Sequence, residues 1–206
     1  MPTRRDRRVD IMRAAERLFT TRRYHEITLD DVVQHANVGK GTVYRYFHDK
    51  DDLFFQTAVH GFDELCELLG RNVASEAPFR DQLAGACRQI AEFFLHRRPL
   101  LRLMVAEEFR AGRERAEPCA RWQEHRQRLA AALARVLGRG VQEGALRDDV
   151  TSEVLSAVLL GMLRTHARDL ADTLGPQQGL ELVVDLFLRG SQAAPVLAAV
   201  EAGGGK

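Results

Sequence analysis

Cysteine is scarce in this chain: three residues, Cys66, Cys87 and Cys119, among 206. The number is odd, the spacings are wide and there is no Cys-x-x-Cys, so neither a disulfide framework nor a thiolate zinc site is expected. Reduced thiols, and hence a cytoplasmic chain, are the expectation. Proline is also sparse, with six residues mostly at segment ends, which leaves room for long helices. Long apolar runs are missing. The longest, Val154 to Leu163, is broken by Ser156 and Gly161 and falls far short of the roughly 20 residues that cross a bilayer. The Arg-rich start is not followed by the apolar core of a secretory signal. Net charge is small, +1, so the molecule as a whole is not a general polyanion binder. Alternating strand patterns of any length are absent, which points to an all-α fold. Catalytic signatures are absent too: no G-x-G-x-x-G, G-x-x-x-x-G-K-[ST], H-E-x-x-H or G-x-S-x-G occurs, and no two of the seven histidines are four apart. No enzyme activity, cofactor or metal is expected.

What charge there is lies unevenly. Residues 1–50 hold eleven Lys and Arg against seven Asp and Glu, a balance of +4; the remainder holds nineteen against twenty-two, −3. A basic head on a slightly acidic body suits a nucleic-acid reader. Within the head, Thr28 to Lys50 reads T-L-D-D-V-V-Q-H-A-N-V-G-K-G-T-V-Y-R-Y-F-H-D-K. Thr28 followed by Asp31 is an acidic form of the capping box. Leu29, Val32, Val33 and Ala36 then recur at helical spacing. Asn37-Val38-Gly39 breaks the pattern, and Asn and Gly both tolerate the left-handed backbone angles of a tight turn. A second helix runs from Lys40 to about Phe47. Val43 and Phe47 face inward, leaving Lys40, Thr42, Tyr44, Arg45 and Tyr46 outside. That outer face has cations, a hydroxyl and phenols but no carboxylate. Gly41 has no side chain, so a backbone or base edge can approach there. A capped helix, a turn and a basic helix in this order read as a helix-turn-helix with its second helix offered to the DNA major groove.

These residues resemble the TetR/AcrR family of bacterial transcriptional regulators. The resemblance is carried by Thr28 and then by Val38-Gly39-Lys40-Gly41-Thr42-Val43-Tyr44, Tyr46-Phe47, Lys50 and Leu53, about a quarter of the chain. It implies a dimeric, all-helical repressor with a ligand pocket in its C-terminal part. Carried over position by position, Thr28, Lys40, Thr42, Tyr44, Tyr46 and Lys50 are implied phosphate or base contacts. Gly41 is the close-approach position, and Arg45 falls where family members differ and read different bases. Asn37 stands where the family usually has glycine. Gly39 stands where a small hydroxyl residue is usual, so one cap and phosphate contact is missing.

The expected architecture is a three-helix head, residues 1–50, a larger effector-binding and dimerisation domain, residues 51–201, and a disordered tail, residues 202–206, with about nine helices in all. A first helix ends near Thr21 and buries Ile11, Ala15, Leu18 and Phe19. Asp49 caps a long helix to about Gly70, the lever between head and body. Further helices are expected over 79–98, over 100–110 and from Pro118, the last loosened by Gly138, Gly140 and Gly144. Asp149 or Thr151 caps the next. Two late segments, around 154–163 and 180–188, are apolar on more than one face, which calls for burial against a partner as well as the core and hence for a homodimer. Phe62, Cys66, Phe93, Phe94, Met104, Phe109, Trp122, Met162 and His166 form an aromatic- and Met-rich inner set suited to an apolar or planar effector. His166, Arg102 and Glu107 are the polar groups available to orient one. The expected partners are therefore an operator of double-stranded DNA, a second copy of the chain and a small-molecule effector, with no membrane.

Overall fold

The computed structural model describes residues 4–73, 77–98 and 116–192, with side chains described for 6–71, 77–98 and 123–192. Among the described residues every regular element is helical. Helix α1 (Arg4–Thr21), a 3-10 turn (Tyr24–Glu26), α2 (Leu29–Ala36) and α3 (Lys40–Tyr46) make the head. Helix α4 (Lys50–Val73) leads into α5 (Phe79–His96), α6 (Ala116–Gln142), α7 (Ser152–Thr165) and α8 (Pro176–Ser191). Between α7 and α8 the chain widens into a π-helical segment, His166–Leu170, and closes with one α-turn, Ala171–Leu174. The helix expected over 100–110 and the tail at 202–206 lie outside the described residues.

Local chemistry explains most boundaries. Asp49 accepts from the Asp52 backbone N–H at 2.7 Å, while Asp52 accepts from the His48 N–H at 2.9 Å, so the start of α4 is held reciprocally. Thr151, not Asp149, caps α7, accepting weakly from the Val154 N–H at 3.4 Å. Asp149 is engaged with Arg147 at 2.5 Å instead. The three glycines near the end of α6 do not act alike. Gly144 has φ +69° and turns the chain after the helix. Gly140 lies inside α6, where a Cβ would come within 2.6 and 2.8 Å of the Phe79 ring. It is a packing notch for α5 rather than a loosened end, and α6 continues to Gln142.

One apolar cluster runs without a break from Ile11 and Phe19 in the head, through Phe54, Phe62 and Leu69 of α4, to Leu133, Leu159 and Phe187. Helix α4 therefore shares its inner face between head and body. A second tie joins them. Arg97, at the end of α5, lies across Gly61 of α4, where a Cβ would sit 2.9 Å from its Nε, and reaches Glu16 of α1 at 2.5 Å. Its guanidinium also rests 4.5 Å from the Phe93 ring centroid.

Candidate functional site

The helix-turn-helix forms where the sequence places it. The Thr28 hydroxyl accepts from the Asp31 N–H at 3.2 Å, and Asp31 accepts from both the Thr28 N–H and hydroxyl at 2.7 Å. These hydrogen bonds hold the Asp31 carboxyl below its ordinary range. Asn37 supplies the left-handed turn residue, φ 51°. Gly39 is extended, φ −68°, and starts α3 without a side-chain cap, the place where a hydroxyl residue would have supplied one. Val43 and Phe47 are fully buried and peg α3 to the head.

Lys40, Gly41, Tyr44 and Arg45 are consequently exposed, and Thr42 and Tyr46 are half-buried beside them. Among the described residues nothing lies within 4 Å of a Cβ built on Gly41, so the helix surface is open there. The Arg45 guanidinium stacks 5.2 Å from the Tyr46 ring, which braces a flexible cation. One expectation needs correcting. The face is not free of carboxylate, because Asp30 of α2 comes within 2.8 Å of the Lys40 ammonium. That hydrogen bond, and the carboxylate charge behind it, hold the Lys40 pKa above its ordinary value. Asp30 sits 10 residues earlier in a different helix, so no spacing rule within α3 could have revealed it.

Lys50 stands apart from the outer set. Its ammonium donates to the backbone carbonyls of Tyr24 and Ile27, both at 3.0 Å, and lies 4.2 Å from the Tyr24 ring centroid. Tyr24 is correspondingly central: its ring packs edge-on to Phe54 at 5.1 Å, and its hydroxyl bonds Asp51. Tyr24 goes unmarked in the sequence, because its contact to α4 is long-range and leaves no local signal.

The inner set of the body is only partly assembled. Phe62 and Phe93 meet edge to face at 4.8 Å, with Phe94 a further 5.7 Å from Phe93. Cys66 is half-buried one turn beyond Phe62, and desolvation pushes its thiol pKa up. Met162 is half-buried against the core, and His166 is fully buried at the start of the π segment. Met104, Arg102, Glu107, Phe109 and the side chain of Trp122 lie outside the described residues. Arg98, which sequence reading passed over, donates to the Ala167 carbonyl and pairs with Asp172 at 2.7 Å. Val154 and Val158 of α7 and Leu182 and Leu186 of α8 are 40–53% exposed. Their neighbours Leu155, Leu159, Val183 and Phe187 are buried. No described helix is long and apolar enough to cross a membrane.

The comparisons with known proteins agree with this geometry. The family profile described as bacterial regulatory proteins, tetR family, matches residues 11–57, from the middle of α1 into α4. The chain is 31% identical over 181 residues to the HTH-type transcriptional repressor Rv1474c of Mycobacterium tuberculosis, covering 87% of this chain and 90% of that protein. It is 28% identical over 182 residues to the HTH-type transcriptional repressor AcnR of Corynebacterium diphtheriae, covering 87% and 88%. Among solved structures, a transcriptional regulator of the TetR/AcrR family from Thermobifida fusca superposes with a TM-score of 0.69 at 23% identity, over 90% of this chain and 98% of that one. The regulator FadR of Bacillus subtilis, solved with stearoyl-CoA, gives 0.67 at 17%, over 88% and 98%. At these identities the two structures speak to the fold.

Proposed function

Since this chain belongs to the TetR family of bacterial transcription regulators, we propose that it is a repressor that binds a near-palindromic operator as a homodimer and is released by a small, largely apolar effector. The observation that carries the reading is the outer face of α3. Lys40, Thr42, Tyr44 and Arg45 project from a helix whose opposite side, Val43 and Phe47, is locked into the core. Such a helix can enter a major groove without distorting the head. The relatives named above are repressors, and occupancy of an operator represses without chemistry. Thr28, which caps α2, and Tyr46, the last residue of α3, are assigned to the phosphates. Lys50 is assigned to positioning, because its three donors point at backbone carbonyls and a ring.

The dimer reading rests on the valines and leucines of α7 and α8. Four large aliphatic side chains this exposed form an apolar stripe that a second copy would cover through a twofold four-helix contact. That contact fixes the separation of the two heads, which must match half-sites about 34–36 Å apart, or a multiple of it. The effector reading rests on the aromatic cluster of Phe62 and Phe93, which links α4 to α5, and a neighbour of the same fold is solved with stearoyl-CoA. An effector that favours a form with wrongly spaced heads would release the DNA. Two elements can carry that change: α4, which spans head and body, and the Arg97–Glu16 tie.

The test is fluorescence anisotropy with duplexes from the chain's own upstream region across a salt series, alongside sedimentation. A dimer with tight, strongly salt-dependent binding to one duplex is expected, weakened by Arg45→Ala and Tyr44→Ala. Val158→Glu with Leu186→Glu should yield a folded monomer that loses the operator. A wild-type monomer that ignores every such duplex at low salt would overturn the proposal.

A further inference from the structure

Three buried polar atoms belong to residues at the junction of the end of α5 with the π segment, and among the described residues none has a hydrogen-bond partner. Two are the ring nitrogens of His166, Nδ1 and Nε2, and the third is Nη2 of Arg98. His166 is fully buried. Its Nδ1 edge lies over Gly179 of α8, where a Cβ would come within 2.8 Å of Nδ1 and 3.1 Å of Cε1. Only glycine leaves room for the ring there. Arg98 is held in place by its other donors, Nε on the Ala167 carbonyl and Nη1 on Asp172, so Nη2 is presented by a fixed fork. The ordinary fate of a buried polar atom is to be paired, and each one left alone destabilises the fold. Three at one junction, beside a π-helical segment of a kind often found at functional sites, call for a ligand.

The chemistry of the cluster limits that ligand. Arg98 Nη2 can only donate, and a neutral imidazole offers one further N–H. Two donors, one of them cationic, suit a carboxylate oxygen pair. Burial and the nearby Arg98 charge both lower the His166 pKa, so the free protein presents a neutral ring beside the cation. One helical turn before His166 and one turn beyond Gly179, on the same helix faces, stand the buried apolar residues Leu163 and Val183. The rest of the ligand must therefore be apolar. We propose that His166 and Arg98 receive the carboxylate head of an acidic effector with a hydrocarbon body. This rests on the ligand-responsive reading above and narrows it to one class of compound. Arg98 is the residue after Arg97, so a head group drawn to the one guanidinium acts next to the bond that Arg97 makes with Glu16 of the DNA-binding head.

The experiment compares octanoate with octan-1-ol, equal in chain length and different in head group, by calorimetry on the whole chain. Octanoate should bind roughly tenfold to a hundredfold tighter, the contribution of a charge-assisted hydrogen-bond pair in a partly shielded site. His166→Leu should remove that preference and leave the thermal midpoint unchanged or raised, because it also removes the two orphaned nitrogens. Arg98→Gln should remove the preference as well; if that variant fails to fold, His166→Leu decides alone. Equal affinity for the two compounds, no octanoate binding at millimolar concentration, or an undiminished preference in His166→Leu would each overturn the proposal. Operator release by an uncharged compound, with any of those results, would leave the regulator reading standing and this one fallen.

Discussion

Substituting Lys50 separates two roles that the sequence cannot distinguish. In the structure its ammonium closes the head by gripping the Tyr24 and Ile27 carbonyls at 3.0 Å, with the Tyr24 ring beneath it at 4.2 Å. Lys50→Met keeps most of the apolar stem and deletes the donors. Each charge-assisted hydrogen bond is worth about 1.5 kcal/mol at the low end, and the low end applies because Lys50 is only half-buried and water screens it. The cation over the ring adds about 0.5 kcal/mol. Packing recovered by the thioether offsets a part, so an expected loss of about 2–3 kcal/mol remains. For a chain of this size that lowers the midpoint of thermal unfolding by roughly 5–10 °C. Circular dichroism melts give that number, and anisotropy titrations between low and moderate salt give the second. A positioning lysine leaves the slope of log affinity against log salt unchanged, whereas a lysine on phosphate lowers it by about 0.9 per subunit, or about 1.8 for a dimer. A variant as stable as the wild type whose slope falls by about that much would refute the clamp and return Lys50 to the DNA-contacting set.

Three further outcomes follow from particular residues. Asn37→Ala should cost about 1 kcal/mol in urea denaturation, because φ 51° disfavours a Cβ without a local hydrogen-bonding side chain, while Asn37→Gly should be close to neutral. Gly140→Ala should destabilise on balance: roughly 1 kcal/mol of helix propensity is gained, but the crowding against the Phe79 ring costs about 1–3 kcal/mol. Pairing it with Phe79→Leu should recover part of the loss, and denaturant titration of the three variants measures it. The Asp31 carboxyl is held below its ordinary 3.8 by Thr28, so its contribution is present above that pH and is lost as pH falls through the folded value. Thr28→Val should therefore be less stable than wild type at pH 6, with the difference shrinking as acid unfolding is followed from pH 5 towards pH 2.

The two arginines at the end of α5 bear on how a signal would travel. Arg97 is tied to α1 through Glu16, and Arg98 to the π segment through Ala167 and Asp172. Adjacent residues at one helix end thus touch the head and the segment that begins with the buried His166. Rotation of that end by a bound ligand would strain both ties together, a shorter route than the length of α4.

Much of this protein was readable before any coordinates. The order of capped helix, turn and basic helix from Thr28 to Phe47, the burial of Val43 and Phe47, the all-helical fold and the exposed valines and leucines of α7 and α8 are all properties of spacing within one helix or turn. Local spacing is enough for them, because helix period, cap and turn angles involve residues three to five apart. What only the tertiary structure decided are the contacts between elements. Asp30 on Lys40, Lys50 on the Tyr24 turn, Phe79 in the notch of Gly140, Arg97 over Gly61 and His166 over Gly179 each join residues of different helices. Which lysine is offered to solvent and which is spent on backbone carbonyls depends on how α1, α2 and α4 cross. Side-chain type sets what each group can do, and the packing of whole helices settles which partner it meets.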